Sequence, residues 1–295
     1  MERRGFVALV VLVMVLSALG CVCGPISFGT GGFGWAGAVR GSGRLVEEER
    51  PVSGVTGVEL ATFGDLTIEL GDEEGLRIEA EENLIPYFDT EVRDGVLVIK
   101  QRPNVRLVSR RPVNFYLTVE ALESIQLSAS GDVEAPDLEA DDFSATVTGS
   151  GDLRMGDLEA AQVELRLTAS GELRMGNLEA DALNVRINGS GDMTMDDLYA
   201  EDLLVLLTGS GNLDVDGGQV EEQDVTITGS GDYSARNLES ATADVRLTGS
   251  GSATIHVEEQ LNATLTGSGD VRYAGSPTTV DRSTTGSGDV EQIGD

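Results

Sequence analysis

The sequence predicts an all-β protein: a right-handed parallel β-helix, or solenoid, of ~20-residue coils with an N-terminal β-rich capping segment. Three observations carry that expectation. One phrase, SASGD, TGSGD, TASGE, NGSGD and close variants, returns on a fixed beat from residue 128 onward. Between its occurrences apolar and polar residues alternate with period 2, the mark of a strand with one buried face. The 38 glycines, set against only 4% aromatic residues, suit short strands and tight corners better than a helical bundle.

The first element in the chain is an address. Arg3 and Arg4 form a basic start, Phe6 to Leu16 an apolar run, and Ser17-Ala18-Leu19-Gly20 a small-residue stretch before Cys21. The apolar run is too short for a comfortable membrane span and reads as a signal peptide over residues 1–20. Ala18-Leu19-Gly20-Cys21 resembles a bacterial lipobox, with Ala in place of the commoner Leu three positions before the cysteine. That likeness makes Cys21 the expected lipidation site. Cys23 is one residue from Cys21, a strained disulfide pairing. Two cysteines and the single His256 do not make a structural zinc site. Residues 21–43 therefore read as a lipidated cysteine followed by a Gly-rich tether, with Gly31-Gly32-Phe33-Gly34 and Gly41-Ser42-Gly43 as its flexible parts.

Residues 44–127 carry the repeat in degenerate form, as in Phe63-Gly64-Asp65-Leu66-Thr67-Ile68. Short strands are expected at 56–60, 66–70, 76–80, 90–93, 96–100, 113–119 and 124–128. Asp94-Gly95 is a hairpin turn, and Glu82 to Tyr87 makes one short helical turn. This segment should cap the solenoid and cover apolar surface that an open coil would expose.

The regular solenoid is expected over 128–295, continuous with the cap. Its Ser-Gly corners fall at Ser130-Gly131, Ser150-Gly151, Ser170-Gly171, Ser190-Gly191, Ser210-Gly211, Ser230-Gly231 and Ser250-Gly251, then at Ser268-Gly269 and Ser287-Gly288. The spacing is 20 residues six times, then 18, then 19. Before each corner one strand should point Phe143, Ala145 and Val147, and their equivalents, inward. After it a second strand should bury Val133, Leu153, Leu173, Met193, Leu213 and Tyr233. Leu138, Leu158, Leu178 and Leu198 follow a further turn, trailed by small alanines. The residue before Ser varies between Gly and Ala, so it needs smallness more than a positive φ. The residue after Ser is always Gly, which fits a backbone angle that glycine alone takes without strain. The serine hydroxyls should stack coil on coil and satisfy one another or nearby backbone groups at the bend. In the last coil Arg282 and Thr284 take inward slots, making a polar end.

Charge excludes some partners. The formal charge is −31, with 51 acidic and 20 basic residues, and Lys100 is the single lysine. Such a surface disfavours nucleic acid and electrostatic binding to bare anionic membranes. The residues after each Ser-Gly, Asp132, Asp152, Glu172, Asp192, Asp232, Asp270 and Asp289, form an acidic column interrupted by Asn212 and Ser252. The column is a candidate calcium ladder, or else an outward, solvated row. Catalysis is not expected. The carboxylates recur by register instead of forming one pair, His256 has nothing to orient it and reads as a surface residue, and no cofactor loop or nucleophile motif is present.

Three stretches carry a resemblance to a known family: GVELATFGDLTIELGDEEGLRIEAEENLIPYFDTEVRDGVLVIK, NFYLTVEALESIQLSASGDVEAP and the train of TGSGD repeats. Residues from about 45 to 293 resemble the bacterial putative auto-transporter adhesin head GIN domain. The resemblance implies an exported, often lipid-anchored β-helical protein, and it brings no catalytic residues with it. The expected function is that of a lipid-anchored extracytoplasmic solenoid, an adhesin-like or structural envelope module. Its partners would be the membrane, through the lipid, and an envelope or extracellular protein or glycan. A calcium-stabilised repeat protein is the alternative, followed by a polysaccharide-acting β-helix enzyme.

Overall fold

The computed structural model describes residues 38–294, so Cys21 and the expected signal peptide lie outside the described residues. The fold starts with a cap of nine strands: β1 (Val39–Arg40), β2 (Leu45–Arg50), β3 (Gly57–Ala61), β4 (Asp65–Leu70), β5 (Gly75–Glu81), β6 (Phe88–Arg93), β7 (Val96–Gln101), β8 (Leu107–Val108) and β9 (Asn114–Val119). All the strands expected from the sequence in this region are present within a few residues. A single 3-10 turn at Ile85–Tyr87 carries Pro86 near its start, and Asp94 and Gly95 both take positive φ, as a primed hairpin turn requires. The turn joins β6 to β7 as an antiparallel hairpin. An edge-to-face stack of Phe88 on Phe115, ring centroids 5.4 Å apart, fills the cap's core.

Strand β1 was not expected. It pairs parallel with β8, and the following turn is pinned to the cap: the Ser42 N–H donates to Asn83 Oδ1 at 2.8 Å and the Gly43 N–H to Glu81 Oε1. Residues 39–43, read from composition as the end of a flexible tether, are therefore part of the fold. Glycine at 41 reflects crowding against the Glu81 carboxylate, not flexibility.

The cap leads into the solenoid by stacking. β3 pairs parallel with β10 (Ser124–Leu127), and β4 with β11 (Val133–Ala135). Coils then follow in parallel register: β12 (Leu138–Val147), β13 (Leu153–Met155), β14 (Leu158–Leu167), β15 (Leu173–Met175), β16 (Leu178–Gly189), β17 (Met193–Gly209), β18 (Leu213–Gly229), β19 (Tyr233–Gly249) and β20 (Ala253–Gly267). Partners lie 20 residues apart from β12 to β19, as in Val147–Leu167–Ile187–Leu207. That register places like side chains above one another. The columns Ala145–Leu165–Val185–Val205 and Leu153–Leu173–Met193–Leu213 are fully buried. Each such leucine contributes roughly 2 kcal/mol through the apolar area it removes from water. The last strands, β21 (Val271–Ala274), β22 (Thr279–Gly286) and β23 (Val290–Gln292), close the stack, and Arg282 and Thr284 are exposed at its end as expected. An inward-pointing charge at an edge strand discourages further strand addition.

The corners correct the sequence reading in two respects. The left-handed angle belongs to the residue before Ser, not after it: φ is +123° at Gly209, +136° at Gly229 and +134° at Gly249. The first four corners, at Ala129, Gly149, Ala169 and Gly189, do without it, so alanine is tolerated there. The invariant glycine after Ser answers to crowding instead. A Cβ on Gly191 would stand 2.2 Å from the Gly171 carbonyl oxygen, and one on Gly151 would stand 1.9 Å from that of Gly131.

The serine side chains, second, are exposed, and among the described residues no hydrogen bond joins their hydroxyls from coil to coil. Backbone bonds join the corners. The Gly209 carbonyl accepts both the Ser230 N–H at 2.8 Å and the Gly231 N–H at 3.2 Å, and the same fork recurs from coil to coil.

One coil departs from the beat. Between Ser250 and Ser268 the second turn is lost, and the β19–β20 register shifts after Ser234. Polar groups collect inside the core at this point. The Gln223 Nε2 donates to Ser240 Oγ at 2.7 Å, Ser240 Oγ donates to the His256 carbonyl at 2.7 Å, and the Tyr233 hydroxyl donates to Gln223 Oε1 at 3.3 Å. Gln223 thus occupies an inward slot that other coils fill with Phe143, Val163 or Leu183. Its partners satisfy it there, as a buried amide requires. Burial pushes the Tyr233 hydroxyl far above its ordinary range. The His256 side chain is mostly covered, and its Nε2 lies 2.8 Å from Glu258 Oε1. It is not the unpartnered surface residue the sequence suggested.

Candidate binding groove

Two rows of outward side chains flank a shallow groove of about 930 Å³ along the solenoid axis. Register alone builds both rows. Asp142, Gln162, Ala182, Asp202 and Glu222 align on one side, and Ser144, Glu164, Asn184, Leu204 and Asp224 on the other. Phe143, Val163, Leu183 and Leu203 lie between them as the floor. Successive coils therefore present one side chain per row about every 4.8 Å, a spacing fixed by backbone pairing.

The groove's chemistry is graded along its length. Glu164 accepts from Arg166 at 2.8 Å and also from Arg186, and Asp224 accepts from Arg246 at 2.8 Å. Asp142, Asp202 and Glu222 have no ion-pair partner among the described residues. The Asn184 Oδ1 is buried without a hydrogen-bond partner, and the Leu204 side chain is 41% exposed. Such a surface offers hydrogen-bond acceptors and one apolar foothold to an extended partner.

The acidic column lies in the corner turns, one residue before the second strand of each coil, and has a structural use. The Asp152 N–H donates to Asp132 Oδ1 at 2.9 Å, the Glu172 N–H to Asp152 Oδ1 at 3.0 Å, the Asn212 N–H to Asp192 Oδ1 at 3.0 Å and the Ser252 N–H to Asp232 Oδ1 at 2.7 Å. Each of these aspartate side chains thus caps the backbone of the next coil, and Asp270 Oδ1 accepts the Asp289 N–H in the same way at 3.1 Å. A second ladder runs along the other turn, from Asp137 to the Asp157 N–H at 2.9 Å and from Asp157 to the Asn177 N–H at 2.7 Å. No group of three or more His, Cys, Asp or Glu side chains among the described residues is arranged to hold a metal ion. Where the arginines Arg154 and Arg174 give way to Asp214, carboxylates crowd. Burial pushes the Asp214 carboxyl above its ordinary range against a hydrogen bond from Ser234, and Asp192, Asp216 and Asp232 push it further the same way.

Sequence reasoning located the corners and the column but not the groove, whose rows look like ordinary alternating surface. One signal was available. Leu203-Leu204-Val205-Leu206-Leu207 breaks the alternation, which marks Leu204 as an apolar residue in an outward slot.

Comparison with known proteins follows the same architecture. A crystal structure of a putative adhesin from Parabacteroides distasonis shares 23% identity over 87% of this chain and 100% of its own, with a TM-score of 0.65. One from Parabacteroides merdae gives 23%, 87%, 99% and 0.63. A structure from P. distasonis named a putative lipid binding protein gives 21%, 87%, 100% and 0.59. At these identities the likeness is one of fold. No curated protein matches the sequence. The sequence model of one family covers residues 55–215 and 173–277, most of the described fold, and on that match the chain belongs to the family described as putative auto-transporter adhesin, head GIN domain.

Proposed function

We propose that this protein is an exported, lipid-anchored β-solenoid that acts as an adhesin-like binding module of the cell envelope, gripping an extended protein or glycan along its flank. The groove from Asp142 to Asp224 carries this reading, because it runs across five coils and repeats its chemistry at the spacing of the stack. Long, regular concave surfaces suit polymers better than small molecules. The family description and the names of the similar adhesin structures support the reading.

The test is an array of glycans and envelope proteins probed with the wild-type protein and with two groove variants, Asp202→Lys and Leu204→Asp. A partner that is captured by the wild type and lost in both variants supports the reading. Capture unaffected by either variant, or no partner at all, counts against it.

A further inference from the structure

Averaged over the chain, the charge argues against an anionic surface, but the fold distributes it unevenly. From residue 112 onward there are 35 acidic and 8 basic residues. Most of the arginines there are spent on local acids, as in Arg154–Asp152, Arg174–Glu172, Arg246–Asp224 and Arg272–Asp270. The ten residues from Arg102 to Arg111 hold four arginines and no acid.

The structure folds this segment against the point where the chain enters the cap. β8 pairs with β1 so that Val108 lies beside Arg40, and the Val39 N–H donates to the Arg106 carbonyl at 2.8 Å. Glu81, fully buried, fastens both sides by accepting from the Gly43 N–H, from Ser109 Oγ at 2.8 Å and from the Arg110 N–H at 2.8 Å. These bonds come from backbone N–H groups and a hydroxyl, not from a guanidinium, although the charge of the carboxylate is felt by Arg110 nearby. Arg40, Arg106, Arg110 and Arg111 are exposed, and none of them has an ion-pair partner among the described residues. The neighbouring acids Glu82 and Asp89 are already paired with Arg44 and Arg102. Val108, 38% exposed, sits among the four arginines, and the 39%-exposed Leu45 is the strand partner of Glu81.

We propose that this arginine-ringed corner is a docking surface for the anionic headgroups of a membrane, placing the cap against the lipid and the acidic solenoid away from it. The inference rests on the reading of the chain as an envelope protein tethered upstream of β1. The 17 chain steps from Cys21 to Ala38 can span at most ~60 Å. A tether of that kind limits distance but not orientation. Orientation requires a charge difference between the two ends, and the basic corner and acidic body supply one. Such attraction acts only within a Debye length, so the corner works at contact while the body is repelled.

The experiment uses the processed chain beginning at Cys21, prepared without acyl chains, in co-sedimentation with vesicles. One vesicle is pure phosphatidylcholine and the other contains roughly one third phosphatidylglycerol. Binding to the anionic vesicles alone, abolished by high salt, is the expected result. The triple variant Arg106→Ala, Arg110→Ala, Arg111→Ala should weaken it by roughly fivefold for each arginine removed. Arg236→Ala with Arg282→Ala, far from the corner, should leave binding unchanged, and melting curves confirm that both variants fold. Equal binding by the triple variant, or no preference for anionic vesicles, overturns the proposal. So does salt-sensitive self-association without vesicles that the triple variant abolishes, since the corner would then meet the acidic body of a second copy. The mass of the Cys21 peptide from native membranes reports separately on the anchor, so failure of one reading is not mistaken for failure of the other.

Discussion

Asn212 accepts the backbone N–H of Asp232 through its side-chain oxygen at 2.9 Å, the bond that Asp192 makes to Asn212 one coil earlier at 3.0 Å. Aspartate and asparagine are interchangeable here because the ladder uses an oxygen lone pair, not a charge. Asp192→Asn should therefore change stability by well under 1 kcal/mol, whereas Asp192→Ala should cost about 1 kcal/mol for the lost bond. Urea denaturation measures both. The same logic predicts equal melting temperatures in chelator and in millimolar calcium. A clear rise with calcium would return the column to the role of an ion ladder.

The two glycines of a corner should fail for different reasons. Gly191→Val brings a side chain onto the Gly171 carbonyl and Leu167, and should destabilise by several kcal/mol or prevent folding. Gly229→Ala puts a Cβ on a residue at φ +136° and so adds backbone strain, about 1–3 kcal/mol, to its contact with Gly209. Gly189→Ala tests the difference: its φ is not left-handed, and its Cβ would stand 2.5 Å from the Ala169 carbonyl oxygen, close to the 2.2 Å at Gly229. A Gly229→Ala variant no less stable than Gly189→Ala would remove φ from the argument.

Two carboxyls should pull stability in opposite directions with pH. Burial works to raise the Glu81 pKa, but hydrogen bonds from Arg110, Ser109 and Gly43 outweigh it and hold the carboxyl below its ordinary 4.5. Its contribution is thus complete above the unfolded value and fades as pH falls through the lower folded value. Asp214 lies above its ordinary 3.8, so its ionisation opposes folding at neutral pH and the opposition lifts on acidification. Glu81→Gln should flatten the acid limb of the stability curve, and Asp214→Asn should raise the melting temperature at neutral pH. Melts across the acid range with each variant decide both signs.

The buried polar cluster should behave as a unit. Gln223→Leu strands the Tyr233 hydroxyl inside the core and should cost about 1–3 kcal/mol. Adding Tyr233→Phe removes the stranded group, so the double variant should recover part of the loss. Additive losses in the double-mutant cycle would show that the two side chains are not coupled.

Cys21→Ser should release the protein from membranes or leave it unprocessed, since the short apolar run and the small residues before Cys21 have the form of a lipoprotein signal. One acyl chain binds only marginally, so stable retention needs more than one. Cell fractionation with mass analysis of the N-terminal peptide checks it. Wild-type protein found soluble in the cytoplasm with residues 1–20 intact would remove the anchor.

Much of the fold was legible because a solenoid is nearly one-dimensional. A coil contacts its neighbours in sequence order, so a period of 20 residues translates directly into register, as in Leu153 over Leu173. Leu66 over Val133 departs from that rule, since 67 residues with β5 to β9 among them separate the two. The rule gave no access to β1 and β8, which are two residues each and pair across 68 residues of chain. Composition misled at Gly41-Ser42-Gly43, where Gly41 packs closely on Glu81 and Gly43 takes a left-handed φ of +84°.

Sequence by itself determined the architecture, the inward columns and the places where the chain turns, since each follows from apolar periodicity and turn chemistry local to one coil. It could not say which glycine of a corner bears the unusual φ, because crowding and left-handed backbone select the same residue. Nor could it say what the aspartates do, because a carboxylate facing solvent and one capping the next coil leave the same letter in the same column. Those questions, like the groove between two outward rows and the unpaired arginines gathered at β1, depend on distances between coils. Only the tertiary structure brings atoms of different coils close enough to decide them.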